Sequence, residues 1–342
     1  MKKFFCLILA LAMTASVLVF AGCGEKSEEL KFGMGVYSYY SSAKNASEES
    51  VGSAEVIHTV AAVLLDKDGK IVDVELDVAS NKGEYTLGGE YVAVESFKTK
   101  GEAGDSYGMA QYGISQDRNG DGVVKEWYEQ ADAFEEVAEG KTLDEVKALV
   151  ADGYGTDEVV NAGCTIAVAD FVKAIEKACA NAAVCDAKKD SDVELGVVSF
   201  QKDSKNASEE ASGVNQIDTV FAASLVGEDD KVIVMSIDYV EAKFTFDVNG
   251  VSTLDTSAAI SSKKEKGTGY GMAQYGTDLN GDGVIKEWFE QAVALENLCV
   301  GKTASEIAGL TAENGYGVAD VQAAGCTIYV SDMVKAAVKA AD

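Results

Sequence analysis

The stretch NAGCTIAVADFVKAIEKA (residues 161–178) returns as AAGCTIYVSDMVKAAVKA (residues 323–340), and this recurrence decides the architecture. Both copies place Gly-Cys-Thr-Ile ahead of apolar residues at helical spacing. Upstream, KEWYEQA (Lys125–Ala131) recurs as KEWFEQA (Lys286–Ala292), NGDGV (Asn119–Val123) as Asn280–Val284, and YGMAQYG (Tyr107–Gly113) as Tyr270–Gly276. KNASEE (Lys44–Glu49) likewise recurs at Lys205–Glu210. Offsets stay between 160 and 163, so the halves are collinear. Each is already domain-sized, which makes this a tandem duplication and not a solenoid. The copies span 31–179 and 193–342, joined by a linker at 180–192 rich in Ala, Lys and Asp.

Within a copy, strands come before helices. Val56–Leu65 and Lys70–Val78 are rich in Val, Ile and Leu around the turn Asp66–Gly69, and Ile217–Val226 and Lys231–Tyr239 flank Gly227–Asp230. Val124, Trp127, Tyr128, Ala131, Phe134 and Val137 fall at helical spacing, as do Ile285, Trp288, Phe289, Ala292 and Leu295. Thr142 with Glu145, and Thr303 with Glu306, match capping boxes. The opening stretch then supplies a strand-like Thr165–Val168 and a last helix begun by Asp170, with Asp332 the counterpart. The predicted fold class is α+β: two tandem homologous domains, each a small antiparallel sheet with helices packed against it.

Lys2 and Lys3 precede an apolar run from Phe4 to Phe20 and then Ala21-Gly22-Cys23, the layout of a signal peptide over residues 1–22. Its end resembles the lipobox of bacterial lipoproteins, which implies lipidation at Cys23, a tether over 23–30, and an anchor on the extracellular face of the cell membrane. The formal charge of -28 disfavours nucleic acid as a partner. The seven cysteines form no CxxC pair, so neither a zinc site nor a thioredoxin-like motif is indicated. Cys179 and Cys185 could close a small loop or stay free thiols. His58 is the only histidine, which excludes a His-based triad in both halves. Trp127 and Trp288 lie on apolar helix faces, where core packing explains them.

Asp117, Asn119 and Asp121, with Asp278, Asn280 and Asp282, place oxygen side chains at positions 1, 3 and 5 of a calcium-loop pattern, with Gly at position 6. Position 12 is Tyr128 or Phe289 instead of the bidentate Glu. An Asn-Gly/Asp-Gly turn accounts for the same residues without Ca2+.

Together the lipobox-like end, the duplicated unit, the Lys-Glu-Trp-Tyr-Glu-Gln helix and the terminal Gly-Cys-Thr-Ile resemble the tandem FMN-binding-domain lipoproteins of Gram-positive bacteria, a group that includes pheromone-precursor lipoproteins of extracellular electron transfer. The resemblance implies FMN joined covalently through a phosphoester to Thr165 and Thr327. It implies a cofactor-binding set of those threonines with Gly163, Cys164, Gly325 and Cys326. Ala162 and Ala324 stand where the motif has Ser, and Cys164 and Cys326 where it has Ala. Tyr107, Met109, Tyr270 and Met272 sit in Gly-punctuated loops suited to wall an isoalloxazine ring. A hydroxyl can accept the phosphate, Gly beside it admits close approach, and the following helix N-terminus suits an anion. The implied function is an anchored electron carrier, more a carrier than a classical enzyme. Its implied partners are a flavin transferase, a membrane-bound electron donor and an extracellular electron acceptor. The alternative is a noncatalytic cell-surface binding module with calcium-stabilised loops and no flavin.

Overall fold

The computed structural model describes residues 29–112, 120, 122–188, 190–276, 281 and 283–342. The first copy opens with three long antiparallel strands, β1 (Leu30–Lys44), β2 (Gly52–Leu65) and β3 (Ile71–Tyr85). Helices follow: α1 (Lys100–Ala103), α2 (Trp127–Ala138), α3 (Asp157–Ala162) and α4 (Ala169–Asn181). A short β4 (Ala183–Cys185) pairs back onto β1, giving the sheet order β3-β2-β1-β4. The second copy repeats the plan with β5 (Asp192–Gln201), β6 (Gly213–Val226) and β7 (Val232–Phe246) in sequential order. Its helices include α5 (Lys263–Lys266), α6 (Trp288–Cys299), α7 (Ala319–Ala323) and α8 (Ser331–Lys339). The fold is α+β with two sheet-containing regions. Among the described residues no helix is long and apolar enough to cross a membrane.

The predicted hairpins exist, but their strands run further than the periodicity indicated, and β1 and β5 had no clear signal. Glycines explain the omission. A Cβ on Gly35 would lie 2.3 Å from the Ala178 nitrogen, and one on Gly196 would lie 2.1 Å from the Ala336 oxygen. These glycines interrupt the apolar alternation because α4 and α8 rest directly on the strand backbone. Both predicted capping boxes are present at Thr142/Glu145 and Thr303/Glu306. The expected strand at Thr165–Val168 is not there: the segment is a loop whose one ladder pairing is an isolated bridge from Ala167 to Tyr154, with Tyr329 bridging Tyr316 in the second copy.

Each sheet is buried on both faces. One face of β2 and β3 (Val63, Val74, Leu76) packs on Trp127, Phe134 and Ile175 from α2 and α4. The opposite face (Val36, Val60, Leu64) meets Val197, Phe221 and Leu225 of the second copy. The layers therefore run helix, sheet, sheet, helix, with one shared core between the copies.

The join has pseudo-twofold symmetry. Ala46 N–H donates to Gly250 O at 2.8 Å while Ala207 N–H donates to Gly89 O at 2.7 Å. Asn45 accepts from Ser252 N–H (3.0 Å), and Asn206 accepts from Tyr91 N–H (3.1 Å). Lys177 pairs with Glu265, and Lys339 with Glu102. The repeated KNASEE segment thus acts as a reciprocal clasp, the isologous pattern of a twofold dimer written in one chain. Strand register also fixes the counterpart of His58. Sequence alignment favours Asp218, whereas the pairings Ser38↔His58 and Ser199↔Thr219 align His58 with Thr219.

Candidate functional site

Helices α2 and α6 build the site from their first turns. The stretch expected as a Gly-punctuated loop forms a short helix, Met109–Tyr112 and Met272–Tyr275. Glu126 caps α2 and also accepts from the first amide of that helix, Met109 N–H, at 2.8 Å, and Glu287 accepts from Met272 N–H at 2.9 Å. One turn on, Gln130 Nε2 donates to Lys125 O (2.9 Å) and approaches Met109 Sδ (3.4 Å). Its Oε1 accepts both the backbone N–H (2.9 Å) and the hydroxyl (3.0 Å) of Thr165. Gln291 makes the same pair of bonds with Thr327, at 2.8 and 3.1 Å. One glutamine therefore joins the short Met helix to the Gly-Cys-Thr loop in each copy. In the sequence, the one signal for Gln130 and Gln291 is their repetition within KEW(Y/F)EQA.

Glycine does something other than the expected exposure. Gly163 and Gly325 take φ of +107° and +92°, ending α3 and α7 in the left-handed region. A Cβ there would sit 2.4 Å from Lys125 Nζ or 2.1 Å from Lys286 Nζ, so lysines occupy the approach. Those lysines reach the carbonyls of Ala162 (3.5 Å) and Ala324 (3.3 Å). The helix N-terminus also differs from expectation: α4 and α8 start at Ala169 and Ser331, ahead of Asp170 and Asp332, and their N-cap residues Val168 and Val330 have no polar side chain to cap them. Val168 and Ala169 N–H both donate to Gly153 O, and Val330 and Ser331 N–H to Gly315 O, so the first amides of α4 and α8 are spent. Cys164 and Cys326 are buried, and burial pushes each thiol up to about 12, leaving them inert beside the threonines.

In the second copy these parts open onto one cavity of about 420 Å³. Thr327, Tyr270, Met272 and Gln291 line it, with Trp288 as a buried wall and Tyr316 and Tyr329 at an exposed lip. Its buried cation is Lys263. The ammonium sits 3.6 Å from the Tyr239 ring centroid and 2.9 Å from Glu241 Oε1. Burial lowers the Lys263 pKa while Glu241 pulls it back up. Tyr239 donates to Asp218 at 2.6 Å and Tyr270 to Glu241 at 3.1 Å, and burial followed by these carboxylates holds both phenols protonated. Lys202, Asp203 and Asp332 complete the charged lining.

The first copy shares the Thr-Gln-Met core, and keeps Lys100 and Asp170 at the positions of Lys263 and Asp332, but lacks the carboxylates of Asp218 and Glu241. Val78, Ser80 and Ile57 stand where the second copy has Tyr239, Glu241 and Asp218. Lys100 lies 5.4 Å from the Tyr107 ring, which is exposed, and 5.7 Å from Trp127. Tyr39 donates to Asp170 at 3.0 Å on that side.

Asp117, Asn119, Asp121, Asp278, Asn280, Asp282 and Cys23 lie outside the described residues. Among the described residues no cluster of three or more His, Cys, Asp or Glu could hold a metal ion. Cys179 and Cys185 are free thiols. No family model matches the chain, and no curated protein or solved structure is significantly similar to it.

Proposed function

We propose that the protein is a lipid-anchored extracytoplasmic electron carrier of the FMN-binding-domain type, with FMN esterified to Thr165 and Thr327. The observation that carries this reading is the convergence of Thr327, Tyr270, Met272, Trp288 and Lys263 on one cavity. Its volume of about 420 Å³ lies within the range of small cofactor sites, roughly 300–1,000 Å³. The residues suit the group: a hydroxyl for the phosphate, apolar and aromatic walls for a planar ring, and one buried cation for an anion.

The bound flavin would supply the redox chemistry. The protein's own residues supply position. Gln291 takes the hydroxyl's hydrogen and the Thr327 amide, which fixes the oxygen while its lone pairs remain available for bonding to phosphorus. Met272 and Trp288 exclude water from one side, and Lys263 balances negative charge in a low-dielectric pocket. Ester formation removes one water overall, so each occupied site adds the mass of one FMN less water.

The test is intact mass of protein made with an active flavin transferase. Thr165→Ala should remove one increment and Thr327→Ala the other, while Cys164→Ala and Cys326→Ala keep both. The threonine variants should remain folded, since each loses one hydrogen bond worth about 1 kcal/mol. Wild-type protein with no adduct would overturn the carrier reading.

A further inference from the structure

The two copies differ sharply at a second place, on the other side of α2 and α6. In the second copy Lys264 extends from α5 and its ammonium donates to Glu296 Oε1 (2.6 Å) and Ser236 Oγ (3.2 Å). Glu296 also accepts from Ile237 N–H at 2.7 Å. In the first copy Glu135 occupies the Glu296 position and accepts from Leu76 N–H at 2.8 Å in the same way. Yet Lys264 is replaced by Gly101, Ser236 by Glu75, and Val293 by Asp132. The first copy has therefore lost one positive charge and gained two negative ones around an equivalent buried carboxylate. Where the lysine chain runs in the second copy, the first has a cavity of about 380 Å³, lined by Glu75, Asp77, Gly101, Trp127 and Asp132.

We propose that this cavity is a binding site for a primary alkylammonium ion, which takes the place that the second copy fills with Lys264. The sister site shows what the geometry accepts: an ammonium on a methylene chain that donates to a buried Glu and to Ser236, the residue at the position of Glu75, which lines the first copy's cavity. Two further observations agree. Trp127 offers the free ligand an aromatic wall, and an ammonium near such a face is attracted to it. Burial, followed by neighbouring carboxylates, raises Glu75 to about 8 and Glu135 to about 9, so without a cation these groups keep their protons. The ligand class is a free monoamine or diamine, or an exposed lysine side chain.

Titration calorimetry of the mature protein with 1,5-diaminopentane, at about pH 9 where an alkylammonium remains charged, tests this. Saturable binding of one diamine per chain is expected. Gly101→Lys should weaken it at least tenfold by supplying an internal ammonium. The substitution has a precedent: Lys264 N–H donates to Asp238 Oδ1 at 3.1 Å just as Gly101 N–H donates to Asp77 Oδ1 at 3.0 Å. Glu75→Gln should also weaken binding about tenfold, and it serves alone if the lysine variant fails to fold. No saturable binding would overturn the proposal. So would binding that neither variant alters, which would assign the diamine to the acidic surface. Calcium that binds more tightly than the diamine and is lost in the same variants would overturn the ammonium assignment in favour of a metal.

Discussion

Phe221→Ala is expected to lower the stability of the whole chain by about 3–5 kcal/mol, the usual cost of emptying a buried phenylalanine site. Phe221 is fully buried and belongs to the core shared by both sheets, with its ring centroid 5.5 Å from that of His58 in the other copy. The cavity would therefore open in both halves at once. Calorimetry should show one melting transition, moved as a unit. Two separated transitions, of which only the second moves, would mean that the halves are energetically independent despite their common core.

Glu135→Gln is expected to do the opposite above neutral pH. Burial first, then Glu75, Asp132 and Asp73, raise Glu135 to about 9 from an ordinary 4.5. The folded state thus holds a proton that the unfolded state has released, and stability must fall as pH rises from about 4.5 towards about 9. Glu75, raised to about 8, steepens the fall. Gln keeps an acceptor for Leu76 N–H but has no charge to desolvate. The variant should be more stable than the parent by roughly 1–3 kcal/mol at about pH 9, and nearly equal to it at about pH 5. Glu296→Gln, which strips Lys264 of its counter-charge, should destabilise instead. Denaturant midpoints across that pH range decide the matter: parallel curves for parent and Glu135→Gln would show that the buried carboxylate carries no such penalty.

The candidate site was half visible in the sequence. Thr165, Thr327, Met109 and Met272 stood out because duplication preserved them within Gly-punctuated stretches, where local chain geometry restricts residue choice. Gln130 and Gln291 did not, because a glutamine one turn into an amphipathic helix reads as solvated until another loop folds over it. Lys263 was hidden for a similar reason: in Ser-Lys-Lys-Glu-Lys it looks like part of an exposed charged run, and only packing on Tyr239 and Trp288 buries it. Glu135 and Glu296 were equally obscure. Their acceptors serve strand amides 59 residues away in sequence, a relation with no local signature.

The sequence by itself determined the duplication, the α+β class, both hairpins and the capping boxes at Thr142 and Thr303, since these rest on short-range periodicity and turn chemistry. It did not determine β1 and β5, whose glycines look like breaks until a helix backbone lies against them. Nor did it determine that the copies share a core. A strand buried on both faces loses the alternation that would reveal which side meets helices and which meets a second sheet. Only the tertiary structure decided that, because contacts between residues more than a hundred positions apart depend on complementary surfaces and not on neighbours in the chain.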